Sequence, residues 1–156
     1  MSKNITEQSV FGAYSQKENQ VTSALLKILE TDCGGGSLLD EILQRIDEGN
    51  GLPEKTLKIE TQSHIDDTDI HSVPDGLISC NYAFNIYIES KLFDVINLTQ
   101  LENHKKLIVE DRDERNKLIY ITTHDKRPEI LPQEIIWTNW TTLMNILNDY
   151  QQDVPN

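Results

Sequence analysis

The chain has 156 residues and a formal net charge of −12, with 14 Lys and Arg against 26 Asp and Glu. Its length fits one domain, and its composition (37% apolar, seven glycines, two cysteines) excludes a collagen-like chain and a disulfide framework. No apolar run approaches the length of a membrane helix and the first residues lack the apolar segment of a secretory signal, so we expect a cytoplasmic protein that does not enter a membrane.

The charge is distributed unevenly. Residues 97–127 contain 7 of the 14 basic residues, whereas the segments on either side are acidic. Phosphate backbones repel an acidic chain, which argues against non-specific binding of nucleic acid. Any contact with a polyanion should therefore involve residues 97–127, where the candidate cations are Lys105, Lys106, Arg112, Arg115 and Lys117. Acidic residues between them leave a solvated surface as an equal alternative.

Two helices are predicted first. Residues 1–14 are polar and weakly patterned, and we interpret them as an N-terminal arm before a single domain at 15–156. Ser15 and Glu18 have the spacing of a capping box. The apolar stripe of the helix that follows is predicted to consist of Val21, Leu25, Ile28 and Leu29. A second helix begins at Ser37, after three glycines, and ends before a turn at 49–53.

The remaining pattern predicts five strands and two helices. Alternating or all-apolar segments place strands near residues 57–61, 73–80, 83–91, 117–123 and 134–137. The turn at 81–82 is short enough to make the second and third strands a hairpin. Helices are predicted at about 97–109 and 139–150, the latter with an apolar face of Trp140, Leu143, Met144 and Leu147. The order ααβββαββα predicts an α/β fold with a mixed sheet flanked by helices.

The residues with the strongest chemical signal lie in the predicted hairpin. Glu89 and Lys91 share one face of their strand because side chains alternate, and Asp75 lies on the neighbouring arm. Two carboxylates beside a lysine would suit Mg²⁺, which prefers oxygen ligands, and a metal-bound water would be a nucleophile for a phosphodiester. The alternative is a solvated sheet face with opposite charges and a turn at Asp75-Gly76.

These residues resemble the motif of the PD-(D/E)XK nuclease superfamily. Pro74-Asp75 matches its first part, and Glu89-Ser90-Lys91 matches its second part at the end of an apolar strand. The predicted elements also resemble the α-β-β-β-α-β core of this restriction-endonuclease-like fold, over about residues 15–122. Each motif is short, and their joint order is the specific part.

The resemblance implies roles for named residues. Asp75 and Glu89 would bind Mg²⁺, or Mn²⁺ in its place, with the Ser90 backbone carbonyl as a third ligand and Lys91 orienting or activating water. Glu18 would contribute to the metal site from the first helix. Gln100 would position the scissile phosphate from the helix after the motif. Both also have the spacing of helix caps, so a capping role stays open for each.

Other polar and aromatic residues favour ordinary structural roles. His104 lies one turn beyond Gln100 and is interpreted as a surface or packing residue. The acidic segment at 66–69, flanked by His64 and His71, is interpreted as a solvated loop in preference to a metal site. Trp137 and Trp140 are expected in the core, although base stacking is the alternative.

Two functions follow from this reading. The first is a Mg²⁺-dependent nuclease acting on nucleic acid, with DNA as the expected substrate. A domain of this size leaves little room for a recognition module, so specificity should come from a homodimer or a partner protein. The second is a non-catalytic, acidic protein-interaction module on the same fold, which the net charge favours and the Asp75, Glu89 and Lys91 set disfavours.

Overall fold

The computed structural model of the protein describes residues 20–30, 37–52, 59–63, 74–80, 84–92, 96–110 and 116–153. The N-terminal arm predicted at 1–14 lies outside these ranges. Helix α1 is described at 20–30, followed by α2 (Ser37–Ile46), α3 (Leu98–Glu110) and α4 (Trp140–Asp153). The strands are β1 (Ile59–Ser63), β2 (Gly76–Cys80), β3 (Phe84–Ser90), β4 (Lys117–Thr122) and β5 (Ile136–Asn139). The predicted order ααβββαββα is confirmed.

The five strands form one mixed sheet in the order β1-β2-β3-β4-β5. Strands β1, β2 and β3 are antiparallel neighbours, so the predicted hairpin is present. Helix α3 then carries the chain across, and β4 pairs parallel to β3 and β5 parallel to β4. The carboxyl ends of β3, β4 and β5 therefore lie at one edge of the sheet.

Helices cover both faces of the sheet. The larger apolar cluster joins α1, α2 and α4 to alternate residues of β2, β3, β4 and β5, such as Ile78, Ile88 and Ile121. The smaller cluster lies on the opposite face, where Leu101 of α3 packs with Leu118 and Tyr120 of β4. Because β4 is buried on both faces, it reads as a nearly continuous apolar segment, as the sequence predicted.

The core-facing stripe of α1 differs from the predicted one. The buried residues are Thr22, Leu25, Leu26 and Leu29, at helical spacing, whereas Ile28 is 43% exposed and Val21 only half-buried. The predicted buried face is rotated about the helix axis relative to the observed one. Apolar spacing alone could not identify the observed face, because the polar Thr22 occupies a core position. The predicted apolar face of α4 is also partly wrong. Met144 was expected to be buried but is 52% exposed, whereas Ile146, which was not predicted, is buried.

Side-chain caps fix the starts of α3 and α4. Asn97 Oδ1 accepts from the Gln100 backbone N–H at 3.1 Å, and Asn139 Oδ1 accepts from Thr142 N–H at 2.7 Å. The second cap also ends β5, which lies two residues later than predicted. The turn from Pro132 to Ile135 occupies the start of the predicted segment. Within the described ranges, no helix combines the length and apolar character needed to cross a membrane.

Candidate metal-binding and catalytic site

The β2–β3 pairing places Asp75 beside Glu89. Gly76, the first residue of β2, pairs with Ile88, so one step further along the two arms Asp75 lies opposite Glu89. The Asp75 backbone N–H points to Glu89 Oε2 at 3.3 Å. Ser90, the next residue of β3, donates its backbone N–H to Asp75 Oδ2 at 2.8 Å. The hairpin therefore brings together the two carboxylates that the sequence singled out.

One oxygen of the Asp75 carboxylate is anchored, and the other is not. Oδ2 accepts both the Ser90 N–H and the Ser90 hydroxyl, the latter at 3.2 Å. Oδ1 accepts no hydrogen bond from the part of the chain that the structure describes. Asp75 is half-buried, so Oδ1 is the oxygen that can serve a ligand.

Glu89 is almost completely buried, with 1% of its surface exposed. Its Oε2 lies 3.3 Å from the Asp75 nitrogen and 3.2 Å from Nε2 of His104, which is 0% exposed. Its Oε1 lies 3.1 Å from Lys91 Nζ, at ion-pair distance. Glu89 Oε1 accepts no hydrogen bond from the described residues.

The electrostatics of the site favour a cation. Burial, and next the neighbouring Glu89 carboxylate, raise the pKa of Asp75 to about 6 from an ordinary value of 3.8, against the opposing effects of Ser90 and Lys91. Ionising both carboxylates of this buried pair at once is therefore unfavourable. A divalent ion between such carboxylates would remove that penalty.

Lys91 follows β3 directly and lies at the carboxyl ends of the parallel strands β3, β4 and β5. Its side chain is 21% exposed, so it can reach both Glu89 and a ligand from solvent. Lys117, which was grouped with the candidate phosphate contacts, begins β4 at the opposite edge and pairs with Asp47 at 2.9 Å. Lys117 therefore lies at the opposite end of the strands from Lys91, because the amino ends of parallel β3 and β4 lie together and so do their carboxyl ends.

The other candidate cations have mixed outcomes. Lys105 makes an ion pair of 3.4 Å with the exposed Glu134, and Lys106 is exposed. Arg112 and Arg115 lie outside the described residues.

Trp137 donates its indole N–H to Thr122 at 3.0 Å and packs on the smaller core cluster, and Trp140 packs on the larger one. Both tryptophans are partly buried against the core clusters, which agrees with the expected packing role.

The structure gives little or no support for the predicted site roles of Glu18, Gln100 and the Ser90 carbonyl. Glu18 lies outside the described residues, as do His64, His71 and the acidic segment between them. The Gln100 backbone N–H is held by the Asn97 cap, which agrees with the capping alternative; its half-buried side chain has no described contact with Asp75 or Glu89. The described contacts of Ser90 are made by its N–H and hydroxyl, whereas its carbonyl was the group predicted to serve as a ligand.

Two residues of the site were missed from the sequence. The interpretation of His104 as an ordinary surface or packing residue is incomplete: it is buried on the inner face of α3, three residues after the buried Leu101, with its ring against Glu89. That spacing was the available signal. Thr22 of α1 is also 0% exposed, and its hydroxyl lies 2.7 Å from the Ser90 hydroxyl. A polar residue within an apolar stripe gave a weaker signal.

The donor set fits a hard divalent ion in part. Within the described ranges, Asp75 and Glu89 each have one oxygen that accepts a backbone N–H and a second oxygen that accepts no hydrogen bond, so each has an oxygen to offer a metal ion. Among the described residues, no group of three or more His, Cys, Asp and Glu side chains is arranged to hold a metal. Two carboxylates with water ligands are the usual protein contribution to a Mg²⁺ site.

Comparisons with known proteins identify no relative. No family model matches the chain, and neither the curated proteins nor the solved structures contain a significant match.

Proposed function

We propose that this chain is a metal-dependent phosphodiesterase of the PD-(D/E)XK nuclease type that hydrolyses nucleic acid, with DNA as the expected substrate. The observation that carries the proposal is the position of Asp75 opposite Glu89, with Lys91 3.1 Å from the same glutamate. Apart from α2, which lies between α1 and β1, the order α1, β1, β2, β3, α3, β4 supports a likeness to the core of that superfamily. The raised pKa of Asp75 supports a site designed for a cation.

Each residue has a role in this proposal. Asp75 and Glu89 would hold Mg²⁺ or Mn²⁺, with the Ser90 carbonyl and Glu18 as further ligands that the resemblance implies. When bound, the ion supplies Lewis-acid chemistry to the phosphodiester. Lys91 provides N–H donors to the attacking water or to a phosphate oxygen, because an ammonium group donates and does not ligate. Gln100 keeps its proposed contact with the scissile phosphate.

The net charge of −12 agrees with a nuclease only if the site is neutralised when substrate binds. The carboxylate pair repels phosphate in the absence of metal, and a divalent cation reverses the local charge. The site does not account for the rest of the acidity, which favours the second candidate function. A chain of 156 residues leaves little room for a recognition module, so we propose a homodimer or a partner protein as the source of specificity, and a cytoplasmic location.

Metal titration separates this function from the second candidate, an acidic module that binds a protein partner. The wild-type chain and Glu89→Gln are titrated with Mn²⁺ and Mg²⁺ by calorimetry. We expect saturable binding to the wild-type that is at least tenfold weaker in Glu89→Gln. Asp47→Asn is the matched control, since Asp47 also pairs with a lysine but lies far along the chain from the site. Metal binding that is absent, or the same in all three proteins, favours the module.

A further inference from the structure

A pair of buried hydroxyls connects α1 to the candidate site. The hydroxyls of Thr22 and Ser90 lie 2.7 Å apart, and both residues are 0% exposed. They are polar groups at the boundary of the larger apolar cluster, where Leu25, Leu26 and Ile88 are buried nearby in sequence. Burying two hydroxyls in such a setting is unfavourable unless both are satisfied by hydrogen bonds.

The hydrogen bonds of this pair run in one direction, from Thr22 to Ser90 and from Ser90 to Asp75. Ser90 has one hydroxyl proton to donate, and its hydroxyl oxygen Oγ lies 3.2 Å from Asp75 Oδ2. An ionised carboxylate only accepts hydrogen bonds, so Ser90 donates to Asp75, and Thr22 must then donate to Ser90. The result is a chain of two hydroxyls that holds Asp75 Oδ2, whereas Oδ1 accepts no hydrogen bond from the described residues.

Thr22 is also fixed by packing against the same hairpin. Gly76 follows Asp75, and a Cβ at this position would lie 3.2 Å from the Thr22 methyl carbon Cγ2 and 3.0 Å from Leu26 Cδ1. The glycine therefore allows α1 to approach closely. The threonine methyl contacts one arm of the hairpin while its hydroxyl bonds to the other arm, so the helix locates both.

We infer that Thr22 is a positioning residue for the metal site: through the Ser90 hydroxyl it orients the Asp75 carboxylate so that Oδ1 faces the ion. The inference rests on the proposed function, since it gives the orientation a purpose only if Asp75 is a metal ligand. Partners that orient metal ligands typically change metal affinity by about 10–100-fold when removed. Thr22 acts through one intermediate hydroxyl, which places its effect at the lower end.

The test measures Mn²⁺ affinity by calorimetry on the full chain without substrate, and urea unfolding in EDTA on the same proteins. Thr22→Val removes the hydroxyl and keeps the shape, and should weaken Mn²⁺ binding about tenfold. Thr22→Ser keeps the hydroxyl and should bind as the wild-type does. Thr138→Val is the matched control, because Thr138 is 3% exposed on β5; it should leave Mn²⁺ affinity unchanged even if it lowers stability.

A double-mutant cycle tests whether the two hydroxyls act together. Ser90→Ala should weaken Mn²⁺ binding at least as much as Thr22→Val, and the double variant should be no weaker than Ser90→Ala alone, because Thr22 acts only through Ser90. If Thr22→Val does not fold, Ser90→Ala tests the same connection. Wild-type affinity in either variant overturns the inference alone. A wild-type protein that binds no Mn²⁺ overturns the proposed function and the inference with it.

Discussion

The backbone N–H of Asp75 lies 3.3 Å from Glu89 Oε2, and the residue after Glu89 donates its own N–H to Asp75 at 2.8 Å. Each carboxylate is therefore oriented by the backbone next to the other. Substitutions at the two positions should be strongly non-additive, because removing either side chain alters the surroundings of both.

Asp75→Asn should stabilise the metal-free protein at neutral pH. The pKa of Asp75 is raised, so the folded state binds the proton more tightly than the unfolded state does. Above a pH of about 6 the folded protein must hold an unfavourable carboxylate; below about 4 the carboxyl is protonated in both states, and the penalty is absent. At roughly 1.4 kcal/mol per pKa unit, the substitution should add up to about 3 kcal/mol to the free energy of unfolding at pH 7.5.

The measurement is urea unfolding of both proteins in EDTA between pH 4.5 and pH 7.5. The advantage of Asp75→Asn should shrink as the pH falls through 6. Asp47→Asn is the control: it removes one half of an ion pair with Lys117 and should not be stabilising. An Asp75→Asn protein that is less stable than the wild-type at pH 7.5 would contradict the electrostatic description of the site.

His104→Phe should destabilise the protein by removing the ring nitrogen that faces Glu89. Both residues are buried, and a buried polar group that loses a partner costs about 1–3 kcal/mol. The same change in a Glu89→Gln background should cost less, because the carboxylate is gone. Urea unfolding of the four proteins gives the coupling between the two sites. Equal losses in both backgrounds would show that His104 is only a packing residue.

Gly76→Ala should loosen α1 from the sheet. The added Cβ would meet Leu26 and Thr22 at 3.0–3.2 Å, closer than ordinary van der Waals contact. Overpacking of this kind costs about 1–3 kcal/mol, which equilibrium unfolding measures. Ser79→Ala lies on the same strand, where Ser79 is only half-buried, and should cost less. Unchanged stability of Gly76→Ala would mean that α1 does not approach Gly76 this closely.

Most of the fold was predictable from local patterns. Hydrophobic periodicity gave the order of the elements, and the short turn gave the hairpin. The strongest case is β4, where burial on both faces produces a continuous apolar segment. The face of α1 was not predictable from apolar spacing, because a buried threonine bonds to a serine that is 68 residues away. Strand β5 was shifted because a turn holds the buried Ile135 ahead of it.

The candidate site was predictable only where strand geometry determines it. Alternation places Glu89 and Lys91 together, and the hairpin register places Asp75 beside them. His104 was not predictable as a contact of Glu89, since that depends on how α3 crosses the sheet between β3 and β4. The position of Lys117, at the end of the strands away from Lys91, was not predictable either, because the parallel pairing that puts it there is a tertiary property.

The most direct test of the central claim is phosphodiester cleavage by the wild-type chain and Lys91→Ala, in Mg²⁺ and in Mn²⁺. Single-stranded, double-stranded and branched DNA, and RNA, are the substrates. Lys117→Ala is the matched control, because Lys117 and Lys91 are similarly exposed (19% and 21%) and each pairs with one carboxylate. We expect metal-dependent cleavage by the wild-type and Lys117→Ala, and none by Lys91→Ala, which should still bind Mn²⁺. Absence of cleavage by the wild-type on every substrate, or full cleavage by Lys91→Ala, would contradict the account.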